Sequence, residues 1–219
     1  METTVVLADD HALFLEGLRS LLAQEPDIRI VAEASSGAEA VDAVQRTKPE
    51  VVVMDVTMPG LNGIEATRQI VHQYPDTKVL CLSMHGGSEF VTAALERGAS
   101  GYLMKDCPLE ELVKAIRCIS AGQMYLSPSV AGVAVSGLMA GATTPSISNL
   151  SSREMEVLQL IAEGHETKHI AEKLHLSAKT VATHRANLTE KLGVRGTADL
   201  TKFAIRHGIA SMDAPGSDD

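Results

Sequence analysis

The stretch V-V-V-M-D-V-T-M-P-G-L-N-G, residues 51–63, decides how the first half of this chain folds. The apolar run 51–54 predicts a strand that is buried on both faces, as in a parallel sheet covered by helices. The strand ends at Asp55. An acidic side chain is therefore expected at the carboxyl end of a buried strand.

The same alternation of a short apolar run and an amphipathic stretch repeats on both sides of residues 51–63. Strands are expected at 5–8, 28–34, 51–54, 79–82 and 101–104. Helices are expected at 13–22, 38–46, 64–74, 89–97 and 109–120. Five strands that alternate with five helices predict an α/β fold over residues 1–121, a doubly wound (βα)5 parallel sheet with helices on both faces.

Five polar residues follow the predicted strands, although they are far apart in sequence: Asp9, Asp10, Asp55, Ser83 and Lys105. Sheets of this kind bind ligands beyond the carboxyl ends of their strands. Clustered carboxylates repel one another unless a cation is bound, and oxygen ligands beside phosphate chemistry favour Mg²⁺. Asp55 could then attack a phosphoryl group, with Lys105 and Ser83 binding its oxygens. Taken singly, each acid could also cap a helix or end a strand by chance.

A change of composition separates the first half of the chain from a helical second half. Residues 126–149 contain no charged side chain, and a linker over 122–149 is expected, with a weak helix at 130–139. Residues 150–210 then show only helical patterns, which predicts an all-α domain of four helices. The first helix begins at Ser151 or Ser152 with Glu154 completing a capping box, and Ser177 caps the third. Residues 211–219 are expected to be a disordered tail.

Charge is distributed unevenly between the two halves. Residues 1–125 hold 18 acidic and 10 basic side chains, whereas residues 150–210 hold 7 acidic and 9 basic ones. The acidic half suits a metal ion, and the mildly basic half is a weak indication of nucleic-acid binding. The three cysteines form no C-x-x-C pair, and the chain shows neither a secretory signal nor a membrane-length apolar run. These features predict a cytoplasmic protein with reduced thiols.

The motifs at the strand ends carry a family resemblance. They are Asp9-Asp10, then D-V-T-M-P-G-L-N-G from Asp55, then Ser83, then G-Y-L-M-K-D with Lys105. With these four in order, residues 3–121 resemble the receiver domain of NarL/FixJ-type two-component response regulators. The resemblance implies that a sensor histidine kinase phosphorylates Asp55.

The resemblance also implies how the site is built. Asp10, Asp55 and the backbone carbonyl of Thr57 would bind Mg²⁺, with Asp9 acting through water. Ser83 and Tyr102 would move as a switch when Asp55 is phosphorylated. Pro59 and Gly63 shape the loop after Asp55. Many receivers have a small residue directly after the switch hydroxyl, so Met84 is expected to slow loss of the phosphoryl group.

Residues 150–209 resemble the LuxR-type DNA-binding domain. The marks are L-S-S-R-E-M-E-V-L, A-E-G, I-A-E-K-L and L-S-A-K-T-V-A-T-H-R-A-N-L-T-E-K-L-G-V. One departure is H-E-T-K-H before Ile170, where His169 could alter packing or a phosphate contact. The resemblance implies a helix-turn-helix whose third predicted helix enters the major groove.

Helical spacing indicates which face of that third helix meets DNA. Val181, Leu188 and Leu192 share one face and belong in the core. The residues expected to contact DNA are Lys179, Thr180, Ala182, Thr183, His184, Arg185, Ala186 and Asn187. Lys179 and Arg185 would contact phosphates, with help from the Thr180 hydroxyl and His184. The small side chains would read thymine methyl groups or backbone shape.

The function that these expectations favour is a phosphorylation-controlled transcription regulator, not an enzyme, that catalyses only its own phosphoryl transfer and dephosphorylation. The expected partners are a sensor kinase, double-stranded DNA, a second copy of the phosphorylated chain and, as a further candidate, RNA polymerase. Three alternatives remain open: a receiver that ignores phosphate and answers to a protein or ligand, a phosphotransferase acting on external substrates, and a helix-turn-helix used for protein binding.

Overall fold

In the computed structural model, a six-stranded parallel sheet forms the centre of the first half of the chain. Its strands are β1 Thr3–Ala8, β2 Ile28–Ala34, β3 Val51–Asp55, β4 Lys78–Ser83, β5 Gly101–Met104 and β6 Tyr125–Leu126. The strand order is β2-β1-β3-β4-β5-β6, and every neighbouring pair is parallel. The order reverses between β1 and β3, which is where a doubly wound sheet opens a ligand crevice. The predicted α/β fold is confirmed.

The structure describes residues 2–140, 150–207 and 209–210. The chain divides into two units, Met1–Met139 and Ala140–Asp219. The last part of the predicted linker, 141–149, and the predicted tail, 211–219, lie outside the described residues.

Six helices accompany the sheet in the first unit. They are α1 Ala12–Leu22, α2 Gly37–Thr47, α3 Gly63–Gln73, α4 Ser88–Glu96, α5 Leu109–Ser120 and α6 Pro128–Ala140. Ser36 and Asn62 cap α2 and α3, because each side chain accepts a hydrogen bond from a backbone N–H three residues later. Aliphatic side chains of α1, α5 and the inner strands form a core. No helix in the described part of the chain is long and apolar enough to cross a membrane.

The sixth strand lies in a segment where the sequence predicts a linker. Tyr125 and Leu126 pair with Gly101 and Tyr102 of β5, and α6 then covers the position of the predicted weak helix. A two-residue strand is too short to produce an alternating pattern, so sequence periodicity does not reveal it. The sheet therefore has one strand more than the five that were predicted.

The second unit consists of helices alone over its described residues. They are α7 Ser152–Ala162, α8 Thr167–Lys173, α9 Ala178–Leu192 and α10 Gly196–Arg206. Helix α7 packs against both α9 and α10. His175, in the turn between α8 and α9, has a φ of 54°, a left-handed conformation that lets the two helices follow each other closely. This arrangement agrees with the predicted helix-turn-helix.

Glu154 connects the start of α7 to α9. Its carboxylate accepts hydrogen bonds from the backbone and hydroxyl of Ser151 at 2.9 Å, which completes the predicted capping box, and it lies 2.7 Å from Lys191 Nζ. Burial raises the pKa of Glu154, but the Lys191 ammonium and the Ser151 hydrogen bonds together hold this pKa below its usual range. A single buried carboxylate thus fixes the position of α9 against α7.

Replacing Glu154 by Ala should lower the free energy of unfolding of the second unit by about 2 kcal/mol, because a cap and the partner of Lys191 are lost together. Urea unfolding is followed by circular dichroism, which reports the helices of both units, and by tyrosine fluorescence, which reports the first unit alone because all three tyrosines lie there. The change is read from the circular dichroism transition that the tyrosine signal does not share. The control is E156A, which removes the partly exposed Arg153–Glu156 pair and should cost less than about 0.5 kcal/mol. Equal losses in the two variants would contradict the role given to Glu154.

Candidate functional site

An acidic pocket lies where β1 and β3 end, at the reversal of strand order. Asp9 and Asp55 are 2% and 3% exposed. Lys105, which follows β5, places Nζ 2.7 Å from Asp9 Oδ2 and 2.9 Å from Asp55 Oδ2. The same ammonium lies 5.0 Å from the ring centroid of Phe14 on α1. The structure therefore brings three of the predicted site residues into direct contact through one buried ammonium.

The exposed side of the pocket is formed by Asp10 and His11. His11 Nδ1 lies 3.1 Å from Asp9 Oδ1 and 2.9 Å from Asp10 Oδ1. One ligand atom from each of Asp9, Asp10, His11 and Asp55 falls within 4.8 Å of the others. Three hard carboxylate groups at this spacing fit the preference of Mg²⁺ for oxygen ligands. The sequence prediction overlooked His11, although its position directly after two acids was a visible signal.

Opposing effects determine the pKa of Asp55. Burial raises the pKa of Asp55 to about 6, the Asp9 charge adds to this rise, and Lys105 and the backbone N–H of Thr57 oppose it. That N–H donates to Asp55 Oδ1 at 3.2 Å. Burial lowers the pKa of Lys105, but its contacts with Asp55 and Asp9 hold it above its usual value. A protonated lysine is thus retained beside a carboxylate that is costly to ionise.

The predicted switch residues Ser83 and Tyr102 are connected through His85, in the loop after β4. The His85 N–H donates to Ser83 Oγ at 3.0 Å, and the Tyr102 hydroxyl donates to the His85 carbonyl at 2.6 Å. The His85 ring also stacks on Phe90 of α4, with centroids 4.6 Å apart. Ser83 and Tyr102 are fully buried. His85 and Phe90 are further parts of this network that sequence reasoning missed, because ring stacking across a loop leaves no periodic pattern.

Met84 is exposed, and the two residues on either side of it are held by burial or hydrogen bonds. Its side chain is 68% exposed, whereas Ser83 is fully buried and His85 is held at its N–H, its carbonyl and its ring. Cys81, two residues before Ser83 in β4, is buried, and burial raises the pKa of its thiol. The role expected for Met84 in slowing loss of the phosphoryl group stays a prediction.

In the second unit, α9 has the two faces that its sequence predicts. Val181, Leu188 and Leu192 are at most 3% exposed. The predicted outward face is exposed at Lys179, Ala182, Thr183, Ala186 and Asn187. Small and polar side chains therefore form a surface that is narrow enough to enter a major groove.

The remaining predicted DNA-contacting residues have partners inside the unit or are partly buried. Thr180 Oγ1 lies 2.8 Å from Oγ of the N-cap Ser177, and the Arg185 guanidinium donates to the Thr197 hydroxyl of α10. Thr183, although exposed, also has an internal partner, because its Oγ1 donates to the Lys179 carbonyl at 3.1 Å. His184 is partly buried. Lys179 thus offers the exposed charge at the N-terminal end of this face.

The one departure from the LuxR-type pattern, residues 165–169, lies just before and at the start of α8. His165 Nε2 lies 2.9 Å from Lys173 Nζ, and the His165 and His169 rings are 4.9 Å apart. Burial lowers the pKa of His165, and Lys173 and His169 lower it further against the opposing effect of Glu163. His169 itself is exposed and its ring lies beside that of His165. The effect of His169 on packing or on a phosphate contact stays a prediction.

Comparisons with known proteins cover both units. The response regulator receiver domain matches residues 5–117, and the bacterial regulatory proteins of the luxR family match residues 148–204. Transcriptional regulatory protein DegU of Brevibacillus brevis is 36% identical, over 93% of each chain. Response regulator UvrY of Escherichia coli K12 is 37% identical, over 95% of this chain and 96% of UvrY. RcsB of Salmonella enterica serovar Typhimurium, solved on the promoter rprA with the phosphomimetic BeF3⁻, is 26% identical with a TM-score of 0.66, covering 92% of this chain and 98% of RcsB.

Replacing Asp55 by Asn should stabilise the first unit when a chelator removes divalent cations. The folded-state pKa of Asp55, about 6, lies above its ordinary value of 3.8, so its ionisation costs stability as the pH rises through this range. The advantage of D55N should grow to as much as about 3 kcal/mol by pH 7. All three tyrosines lie in the first unit and the chain has no Trp, so tyrosine fluorescence during urea unfolding isolates this unit.

The matched control for this experiment is D42N, because Asp42 is exposed on α2. Its stability relative to the wild type should not change over the same pH range. A D55N advantage that stays constant from about pH 4 to pH 7 would contradict the raised pKa of Asp55. Added Mg²⁺ should stabilise the wild type more than D55N, because the variant lacks one ligand carboxylate.

Proposed function

Because this chain belongs to the response regulators that join a receiver domain to a LuxR-type DNA-binding domain, we propose that Asp55 is the phosphoacceptor through which it regulates transcription. The observation that carries the proposal is the buried triad in which Lys105 lies between Asp55 and Asp9. A receiver implies a kinase partner, and the donor proposed here is the phosphohistidine of a sensor kinase. The receiver is no classical enzyme, and it would catalyse only transfer to itself and the later loss of the phosphoryl group.

The arrangement of charges supports Asp55 as the nucleophile. A carboxylate oxygen of Asp55 forms a bond to phosphorus while the bond between phosphorus and the donor histidine nitrogen breaks. The Lys105 ammonium already lies 2.9 Å from Asp55 Oδ2, so it can pair with a phosphoryl oxygen after a small movement. Burial of Asp55 keeps water away from the new acyl phosphate.

Receiver domains generally bind Mg²⁺ at an acidic pocket, and the oxygen-rich cluster here fits that ion. Asp10, Asp55 and the carbonyl of Thr57 would hold it, with Asp9 acting through water. A bound divalent cation supplies the positive charge that lets a phosphoryl group approach a carboxylate. His11 contacts both Asp9 and Asp10, so its ring would have to leave or share this side of the pocket.

Ser83 and Tyr102 would report the phosphorylation state. The Ser83 hydroxyl now accepts the His85 N–H, and a phosphoryl group on Asp55 offers it an acceptor with formal charge, which makes a stronger hydrogen bond. Turning towards the phosphoryl group releases the His85 N–H. Because Tyr102 donates to the carbonyl of the same residue, movement of His85 reaches β5.

The DNA-binding step is proposed to need two copies of the chain. The helical domain holds only two more basic than acidic side chains over residues 150–210, so one copy should bind DNA weakly. Two copies on adjacent half-sites gain effective concentration, and a two-fold dimer matches a two-fold DNA site. We therefore propose that phosphorylation favours a dimer whose α9 helices, led by Lys179, enter successive major grooves.

A receiver that ignores phosphate is the second candidate. It would not require Asp55, Lys105 and Ser83 to be buried at one sheet edge, and each of them is. The beryllofluoride experiment below separates the two candidates, because a phosphate-independent receiver would keep the same molar mass with and without the phosphoryl mimic.

Incubation with acetyl phosphate and Mg²⁺ should add one phosphoryl group to the wild type and none to D55A, as intact-mass measurement will show. Beryllofluoride, a phosphoryl mimic, should convert a mostly monomeric wild type into a dimer in light scattering. D42A serves as the control, because it removes an exposed acid away from the pocket. Modification that persists in D55A, or an unchanged molar mass with beryllofluoride, would refute the proposal.

Replacing Lys179 by Ala should weaken binding to DNA selected with the beryllofluoride-treated protein by about 3- to 10-fold, since one phosphate contact is lost. The slope of log K against log salt should fall by about 1. K202A, which removes an exposed lysine of α10, is the control. If both variants lose the same affinity, α9 is not the element that leads into the groove.

A further inference from the structure

The first residues of the predicted linker are folded onto the strand that carries the switch residue Tyr102. Tyr125 and Leu126 pair with Gly101 and Tyr102 in parallel register. The Tyr125 N–H donates to the Ser100 carbonyl at 3.1 Å, and the Ser127 N–H donates to the Tyr102 carbonyl at 3.3 Å. The chain thus leaves the receiver along β5 itself.

Tyr102 makes one hydrogen bond through its hydroxyl, towards the loop after β4, and another through its backbone carbonyl, towards β6. Its hydroxyl donates to the His85 carbonyl, and the His85 N–H donates to Ser83, next to the acidic pocket. Its own carbonyl accepts from Ser127. Two hydrogen bonds, from the Tyr102 hydroxyl to the His85 carbonyl and from the Ser127 N–H to the Tyr102 carbonyl, thus connect residues 83–85 with Ser127.

Ser127 also lies directly before α6 and accepts hydrogen bonds from its first turn. Its carbonyl accepts the N–H groups of Val130 and Ala131, both at 2.9 Å, and its hydroxyl lies 2.9 Å from that of Ser129. Ser127 and Val130 are 2% and 1% exposed. Because Ser127 is hydrogen-bonded both to β5 and to the first turn of α6, a displacement of β5 should displace that turn.

The composition of the linker excludes ion pairs as carriers of the signal within it. Residues 126–149 contain no charged side chain. Coupling between two sites needs a contiguous set of contacts with two arrangements, and within this segment main-chain hydrogen bonds and helix packing remain to provide it. The Tyr102–Ser127 contact meets this requirement at the point where the receiver ends.

We propose that the main-chain contact between Tyr102 and Ser127 transmits the phosphorylation state of Asp55 to α6, and so to the DNA-binding domain that follows it. This inference rests on the proposed function of Asp55. It assigns to β6 a role as the output strand of the receiver, and it makes Ser127 a positioning residue that acts through its N–H and not through its side chain.

The test compares S127P with S127A in the full chain. Proline removes the N–H that donates to Tyr102, whereas alanine keeps it and removes only the hydroxyl. Proline is tolerated at a sheet edge, and Leu126 is already extended as the residue before a proline requires. DNA affinity with and without beryllofluoride gives an activation ratio for each protein, and acetyl phosphate labelling of Asp55 is measured in parallel.

In the wild type and S127A, beryllofluoride should raise DNA affinity by about 10-fold or more, within the usual range of coupling. In S127P this ratio should fall to less than about one third of the wild-type value, while Asp55 is labelled to the same extent. A wild-type ratio in S127P would overturn the relay and leave the function of Asp55 intact. Loss of labelling in all three proteins would instead refute the proposed function.

Hydrogen exchange in the wild type decides the question if tyrosine fluorescence shows that S127P does not fold. Amides of residues 125–127 and 129–131 should change their exchange rate at least threefold on addition of beryllofluoride, because the relay runs through hydrogen bonds of this segment. Unchanged exchange there, together with a clear response around Ser83, would overturn the proposal.

Discussion

The ammonium of Lys105 between the carboxylates of Asp9 and Asp55 is the interaction on which the rest of the receiver depends. Two buried carboxylates at one sheet edge would repel each other strongly in a medium of low polarity. Lysine supplies one charge against two, so the pocket keeps a net negative charge and remains able to attract a cation. The uncompensated negative charge thus serves the chemistry of the site, and it also lowers the stability of the folded receiver.

The convergence of Asp9, Asp55 and Lys105 could be predicted from sequence because each follows a short apolar run, and the ends of parallel strands meet at one edge. Burial of one α9 face could be predicted for a similar reason, since Val181 and Leu188 repeat at helical spacing. Both predictions depend on periodic patterns that the backbone geometry imposes. The structure agrees with them closely.

Features that depend on single contacts could not be predicted in this way. The two residues of β6 have no periodicity of their own, and their pairing depends on an open edge of β5 that appears only after folding. The stacking of His85 on Phe90 joins a loop to a helix through ring geometry alone. The ion pair between Glu154 and Lys191 spans two helices, and nothing in either helix's sequence requires it.

The position of β6 has a consequence for anyone who builds chimeric regulators by exchanging modules. The sequence pattern of the receiver ends at residue 121. A cut there would remove β6 and leave the outer edge of β5 unpaired, and an unpaired strand edge is a known starting point for aggregation. A cut after β6 keeps this edge strand with the receiver, and the compact unit that contains the sheet extends to Met139. The sheet of this protein therefore ends several residues after the last helix that the sequence pattern of the receiver reveals.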